Sequence, residues 1–199
     1  MKKEFKSCVD RIINAFNKFH VEYKLVGGTV IALVNPERYT EDMDFEIKSN
    51  IENVKKIINA LVDCGFSTHE ELQGLLEDRF SEEDGIPNNM QIFPTLSGWE
   101  VKNFHLDICE SIRGISYDDL GTEIYDYDGL KIIIAPFKDI LRMKENVGNL
   151  WDERNNPREK DLNDIAFICD TLGLTSKYYK KIEKDDRMRL MDAFTKKRK

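Results

Sequence analysis

Two segments alternate strictly between apolar and polar residues, and this alternation limits the possible folds more than any other feature. In "DMDFEIK" the apolar set is Met43, Phe45 and Ile47, and the polar set is Asp42, Asp44 and Glu46. In "FHLDIC" the apolar set is Phe104, Leu106 and Ile108, and the other set is His105, Asp107 and Cys109. Successive side chains of a strand point to opposite faces. Both segments are therefore predicted to be strands with one face in the core.

The rest of the chain predicts an α+β fold. Residues 5–19 and 51–62 have helical spacing, and "EIYDYDGLKIII" indicates either a strand pair or one bent strand around Asp128-Gly129. After Pro136 the pattern changes to helices, at about 137–147, 159–173 and 176–194. We predict a small mixed β-sheet with flanking helices over residues 1–135. A helical C-terminal region, residues 136–199, is predicted to pack on it.

Composition excludes several classes of protein. The 199 residues contain no apolar run long enough to span a membrane and no segment resembling a signal peptide. The four cysteines are scattered without a CxxC pair, which disfavours a zinc ribbon or a disulfide framework. The net charge of -7 argues weakly against general affinity for nucleic acid. We expect a cytoplasmic protein that does not associate with membranes.

The run Gly27-Gly28-Thr29 joins a predicted strand to a predicted helix that begins near Thr29. Glycines at such a turn let backbone N–H groups approach an anion closely, and a helix N-terminus favours phosphate. A plain tight turn is the alternative. A P-loop is excluded, because the Gly-Lys-Ser/Thr ending is absent.

Asp42 and Asp44 lie about 7 Å apart on one face of their strand. Like charges this close repel unless a cation lies between them, and Mg²⁺ prefers carboxylate oxygens together with substrate phosphates. If the strand of Asp107 is a neighbour, three carboxylates converge on a metal site. The alternatives are a solvated polar face for the first two and a paired surface acid for Asp107. His105 and Cys109 are interpreted as packing residues.

Lys144 projects from the apolar side of its predicted helix, between Ile140 and Val147. An ammonium group there needs either an anion or a path to solvent. Asp161, at the edge of the apolar face of the next helix, is a candidate partner, and Asp164 lies further round that helix.

These motifs together resemble the nucleotidyltransferase superfamily over roughly residues 20–170. The string "LVGGT…RYTEDMDFEI" resembles its glycine turn followed by Asp-x-Asp on the next strand, and "FHLDI" resembles the later strand with a third Asp. The run Arg38-Tyr39-Thr40 and the later "KDLND" are similar to the branch that contains the AbiEii-type abortive-infection toxins.

The resemblance implies a set of site residues and a cofactor. It implies catalytic roles for Asp42, Asp44, Asp107 and Lys144, and metal binding by the first three. It implies nucleotide binding by Gly27, Gly28, Thr29, Arg38, Thr40, Lys144 and Lys160. The implied cofactor is Mg²⁺, with Mn²⁺ as an alternative, and the implied substrate is a nucleoside triphosphate such as ATP.

Three functions are compatible with the sequence. The first is transfer of a nucleoside monophosphate to an acceptor hydroxyl. The resemblance implies that some relatives act on tRNA ends and others on proteins or small antibiotics. The second is a catalytically silent binding module with a cognate partner protein, as in a toxin–antitoxin system. The third is a metal-dependent hydrolase that uses the same acids, although no His-rich site supports it.

Overall fold

The computed structural model describes residues 3–80, 89–99, 101–112, 114–145 and 159–174. The helices among them are α1 (Lys3–Lys18), α2 (Gly27–Val34), α3 (Ile51–Asp63), α4 (His69–Phe80), α5 (Phe137–Glu145) and α6 (Glu159–Leu172). The strands are β1 (Tyr23–Val26), β2 (Asp42–Ile47), β3 (Asn89–Ile92), β4 (His105–Cys109), β5 (Ser111–Ile112), β6 (Ile115–Ser116), β7 (Glu123–Tyr127) and β8 (Leu130–Ile134). The chain divides into two compact units, Met1–Pro136 and Phe137–Lys199.

The first unit is built on a six-stranded mixed sheet in the order β3-β4-β2-β1-β8-β7. The two alternating segments are β2 and β4, and they pair in parallel as interior strands of this sheet. Strand β1 pairs antiparallel with β2 and parallel with β8. The β7–β8 hairpin turns at Asp128 and Gly129, which have φ values of 52° and 86°. Both residues tolerate positive φ, as a two-residue hairpin turn requires.

One face of this sheet forms the core. The apolar residues of β2, Met43, Phe45 and Ile47, are fully buried. From α1, Phe16 packs its ring against Phe45 at 4.9 Å and against Tyr23 at 5.3 Å, measured between ring centroids. Helix α3 is N-capped by Asn50, whose side chain accepts from the Asn53 N–H. The helices therefore cover the apolar face and leave the acidic face of β2 for other contacts.

The second unit contains α5 and α6 among its described residues. The ring of Phe137 meets that of Phe167 edge-on, with centroids 6.3 Å apart. Predicted residues 146–147 of the first of these helices, and the whole predicted helix at 176–194, lie outside the described residues.

The predicted fold class, a small mixed sheet with flanking helices, is confirmed. Two details differ from the prediction. Helix α2 begins at Gly27, two residues before Thr29, so the glycines belong to its first turn. Helix α4 was not predicted, because Leu72 and Leu76 are its only described buried side chains. None of the helices in the described ranges is both long enough and apolar enough to cross a membrane.

We expect Phe45→Ala to lower the free energy of unfolding by about 3–5 kcal/mol, because it removes a fully buried ring that contacts Phe16 and Tyr23. Leu75→Ala is the matched control, since that side chain is 49% exposed and its loss leaves no cavity. Urea titration of both variants measures the effect. A loss below about 1 kcal/mol for Phe45→Ala would show that this cluster does not anchor the sheet.

Candidate active site

The polar face of the sheet carries the acidic residues of β2 and β4 in register. The cross-strand pairs are Asp42–His105, Asp44–Asp107 and Glu46–Cys109. Antiparallel pairing of β3 with β4 places Gln91 opposite Asp107. Paired residues on neighbouring strands extend from the same face of a sheet. Strand pairing thus brings together two acidic segments that lie far apart in the sequence.

One carboxylate from each strand meets the imidazole of His105 in a compact group. One donor atom from each of Asp42, His105 and Asp107 lies within 4.8 Å of the other two, and all three residues are half-buried. The amide of Gln91 donates to Asp107 Oδ1 at 3.1 Å and so orients that carboxylate. Two carboxylate oxygens and one imidazole nitrogen are a donor set that fits a divalent metal ion.

Asp44 lies beside this group rather than within it. It pairs with Asp107 on one side and with Val26 on the other. Its carboxylate lies against the glycine turn, so that a Cβ built on Gly27 would be 1.9 Å from Asp44 Oδ2. The sequence placed Asp42, Asp44 and Asp107 at one metal. The structure groups two of them with His105 and puts the third against the turn.

The sequence analysis interprets His105 as a packing residue, whereas the structure places its imidazole beside the carboxylates of Asp42 and Asp107. Its Nδ1 lies 2.8 Å from the Asn103 carbonyl oxygen, and its Nε2 lies 3.9 Å from Asp107 Oδ2. The ring of Phe93 lies against the imidazole, with centroids 5.2 Å apart. Its position two residues before Asp107 on an alternating strand was the available signal, because both side chains must share a face.

The glycine turn leaves no space for side chains. Gly27 has a φ of 68°, a region that strains any residue with a Cβ. A Cβ on Gly28 would lie 2.6 Å from Nη2 of Arg38, so the guanidinium covers this glycine. The residue before the helix is Val26, which provides no side-chain cap for α2. The first N–H groups of α2 are therefore next to a positive guanidinium, an arrangement suited to an anion.

Two threonines predicted to bind nucleotide are engaged with Asp42 in this structure. The Thr29 hydroxyl is buried and donates to the Asp42 carbonyl oxygen at 2.6 Å. The Thr40 hydroxyl donates to the Asp42 carboxylate, and Arg38 Nη1 donates to the Tyr39 carbonyl oxygen. Both hydroxyl protons are used within the protein. The side chains of Thr29 and Thr40 accordingly position Asp42.

Glu46 closes the other end of the acidic face. It is fully buried, its Oε1 accepts from the Ile112 N–H, and its Oε2 has no hydrogen-bond partner within the described part of the chain. Burial raises the pKa of Glu46 to about 8, although the Ile112 N–H and the charge of Lys24 act to lower it. Glu46 therefore holds its proton near neutral pH.

Lys24, the β1 partner of Glu46, is fixed by its own contacts. Its Nζ donates to the carbonyl oxygens of Tyr117 and Leu120, each at 2.6 Å. The same ammonium lies 4.1 Å from the centre of the Tyr117 ring. The short 3-10 helix at Tyr117–Asp119 is thereby held to the sheet.

In the second unit, Lys144 is buried between two carboxylates. Its Nζ lies 2.9 Å from Asp161 Oδ1, the pairing that the helix spacing indicated, and 2.8 Å from Asp164 Oδ2. The exposed fractions of the three side chains are 8%, 2% and 1%. This cluster joins α5 to α6. Lys160, also predicted to bind nucleotide, is exposed on α6.

No protein-family model matches the chain, and no curated protein matches it. Its fold is similar to the crystal structure of an antigenic nucleotidyltransferase-like protein from Paracoccidioides brasiliensis. The TM-score is 0.53 at 16% sequence identity, and the match covers 85% of this chain and 77% of that one. This similarity shows a shared fold alone and gives no support for the AbiEii-type branch.

We expect the pH dependence of stability to identify Glu46 as a proton-holding group. A glutamate in the unfolded chain ionises near pH 4.3, whereas folded Glu46 keeps its proton up to about pH 8. Its contribution to stability is therefore complete below the unfolded pKa and is lost as pH rises through the folded pKa. Relative to Glu46→Gln, the wild-type free energy of unfolding should fall by more than about 1 kcal/mol across this window.

Chemical denaturation of both proteins at several pH values across that window gives the difference. Glu123→Gln, which replaces an exposed glutamate of β7, is the matched control. A difference between wild type and Glu46→Gln that stays constant with pH would contradict the assignment.

Proposed function

We propose that this protein is a metal-dependent nucleotidyltransferase, which moves a nucleoside monophosphate from a nucleoside triphosphate to an acceptor hydroxyl. One observation carries the proposal. The carboxylates of the parallel strands β2 and β4 lie next to the glycine turn at the start of α2, where no side chain fits. Asp44 links the two features, because it pairs with Asp107 and also lies against Gly27. The similarity of fold supports the same reaction class.

The triphosphate is proposed to bind at the start of α2. The backbone N–H groups of Gly28 and Thr29 lie in its first turn, where the helix dipole favours negative charge. Arg38 adds a positive charge over the same glycine. A guanidinium with several donors suits phosphate oxygens.

The acidic residues are proposed to hold a divalent cation, either Mg²⁺ or Mn²⁺, against those phosphates. Asp42 is kept in place by Thr29 and Thr40, and Asp107 by Gln91. When bound, the cation neutralises charge that develops on the phosphate oxygens. The fixed side chains need no reorganisation during the reaction, which is how a preorganised site lowers a barrier.

In the proposed reaction the acceptor hydroxyl oxygen bonds to the α-phosphorus, and the bond from that phosphorus to pyrophosphate breaks. The hydroxyl proton passes to the Asp107 carboxylate. Asp107 and His105 both lie on β4, between β2 and β3. Pyrophosphate leaves with the electron pair of the broken bond.

Incubation with each α-labelled nucleoside triphosphate, Mg²⁺ or Mn²⁺, and cell extract tests the proposal and identifies the acceptor. Transfer of label to an extract component is the expected result. Nucleotide binding without transfer would support the silent binding module instead. Release of nucleoside monophosphate or phosphate without any labelled acceptor would support a hydrolase.

We expect Asp42→Asn and Asp107→Asn each to lower the rate of transfer by about 10²-fold or more, since each removes a charge from the preorganised group. Asp126→Asn is the matched control, because Asp126 is an exposed aspartate on β7, at the far edge of the same sheet. Circular dichroism confirms that each variant is folded. Transfer rates within a few-fold of wild type in both site variants would exclude this group from catalysis.

Gly28→Val is expected to weaken nucleotide binding by about tenfold or more, corresponding to about 1.4 kcal/mol. A side chain at this position displaces the Arg38 guanidinium and covers the first N–H groups of α2. Gly74→Val in α4 is the control for a valine introduced at a helical glycine, because a Cβ there meets no neighbouring atom within 4 Å. Fluorescent-nucleotide titration measures both, and equal affinities for the two variants would remove the turn from the binding site.

A further inference from the structure

Two contacts hold the imidazole of His105 in one orientation. Nδ1 is 2.8 Å from the Asn103 carbonyl oxygen, and the Phe93 ring lies against the imidazole. A carbonyl oxygen only accepts hydrogen bonds, so Nδ1 is the nitrogen that carries the proton. Histidines that bind metals commonly donate their other ring N–H to a backbone carbonyl in this way, which fixes the tautomer and the ring orientation.

This orientation directs the Nε2 of His105 towards the carboxylates. Nε2 lies 3.9 Å from Asp107 Oδ2, and a donor atom of Asp42 completes the group. In the neutral imidazole with Nδ1–H, Nε2 is a hydrogen-bond acceptor and so is the carboxylate oxygen. A cation bound between these two acceptors would satisfy both of them. Donors that each lie about 2.1 Å from one ion can be separated by up to about 4.2 Å. The 3.9 Å between His105 Nε2 and Asp107 Oδ2 lies within this limit.

We propose that His105 is a direct ligand of the cation, and that the mixed donor set selects a first-row transition-metal ion over Mg²⁺. Mg²⁺ favours all-oxygen octahedral surroundings, whereas imidazole nitrogen suits Zn²⁺, Fe²⁺, Ni²⁺ and Cu²⁺. This inference identifies a ligand and a metal preference for the same site. The role of the ion in nucleotide transfer rests on the proposed function. The sequence analysis expects Mg²⁺ as the cofactor. The nitrogen in the ligand set favours a transition-metal ion instead.

Metal affinities of the full chain and its variants give the first test. Mn²⁺ is the probe, because its free concentration is measured directly by electron paramagnetic resonance, and competition gives the Mg²⁺ affinity. His105→Gln is expected to weaken Mn²⁺ binding by about tenfold or more and to change Mg²⁺ binding far less. His69→Gln, which alters an exposed histidine at the start of α4, should leave both affinities unchanged. An equal loss for the two metals in His105→Gln would overturn the selectivity.

A spectroscopic test on the wild-type chain does not depend on whether any variant folds. Protein labelled with ¹⁵N-histidine and loaded with Mn²⁺ should show, in pulsed paramagnetic resonance, the coupling of one directly bound ¹⁵N. The coupling should persist in His69→Gln. Bound Mn²⁺ without this coupling would overturn the ligand assignment, and so would a chain that binds neither Mn²⁺ nor Zn²⁺.

The two proposals fail separately. A ¹⁵N coupling in a protein that transfers no nucleotide would leave the metal assignment intact and reject the transferase. Nucleotide transfer by a protein whose Mn²⁺ shows only oxygen ligands would reject the role of His105 and leave the transferase standing.

Discussion

The parallel pairing of β2 with β4 is the constraint on which the candidate site depends. A shift of one residue in that pairing would move every side chain of one strand to the opposite face. The shift is prevented by the core, because Phe45 and Leu106 are fully buried on the apolar face. The same register sets Asp42 beside His105 and Asp44 beside Asp107. Burial of apolar surface on one side of the sheet thus fixes the positions of charges on the other.

The acidic residues at the two ends of β2, Asp42 and Glu46, differ in their burial. At the open end, Asp42 is half-buried and receives the Thr40 hydroxyl, so its charge is supported by a nearby donor. At the closed end, Glu46 is fully buried beneath the segment that contains Ile112 and keeps its proton near neutral pH. A single strand therefore carries one half-buried acid and one fully buried acid, and burial keeps the second of them protonated near neutral pH.

Local pattern was sufficient to predict the strands of the site but not the group they form. Alternation predicted β2 and β4. The segment around Asp128 and Gly129 left a strand pair and a bent strand as alternatives, and the structure has the pair. The place of His105 depends on which strands are neighbours and in what register, and alternation within one strand contains neither. The engagement of Thr29 with the Asp42 backbone likewise arises only when α2 packs against β2.

Helix α4 was missed for a different reason. Its described buried side chains are too few to make an apolar stripe, and Gly74 interrupts the pattern. The available signal was at its start, where Thr68 and Glu71 form a capping box. Glu71 also accepts from Ser67 and Thr95, which ties the helix start to the loop after β3. A capping signal was present where periodicity was weak.

The close approach of Gly27 to Asp44 makes these two positions epistatic. Any side chain at position 27 must displace the Asp44 carboxylate, and its backbone conformation already disfavours every residue but glycine. The effect of a substitution at either position therefore depends on the residue at the other position. A substitution of Gly27 would displace the Asp44 carboxylate from its position. If Asp44 were lost instead, the positive φ of residue 27 would be the remaining constraint that favours glycine there.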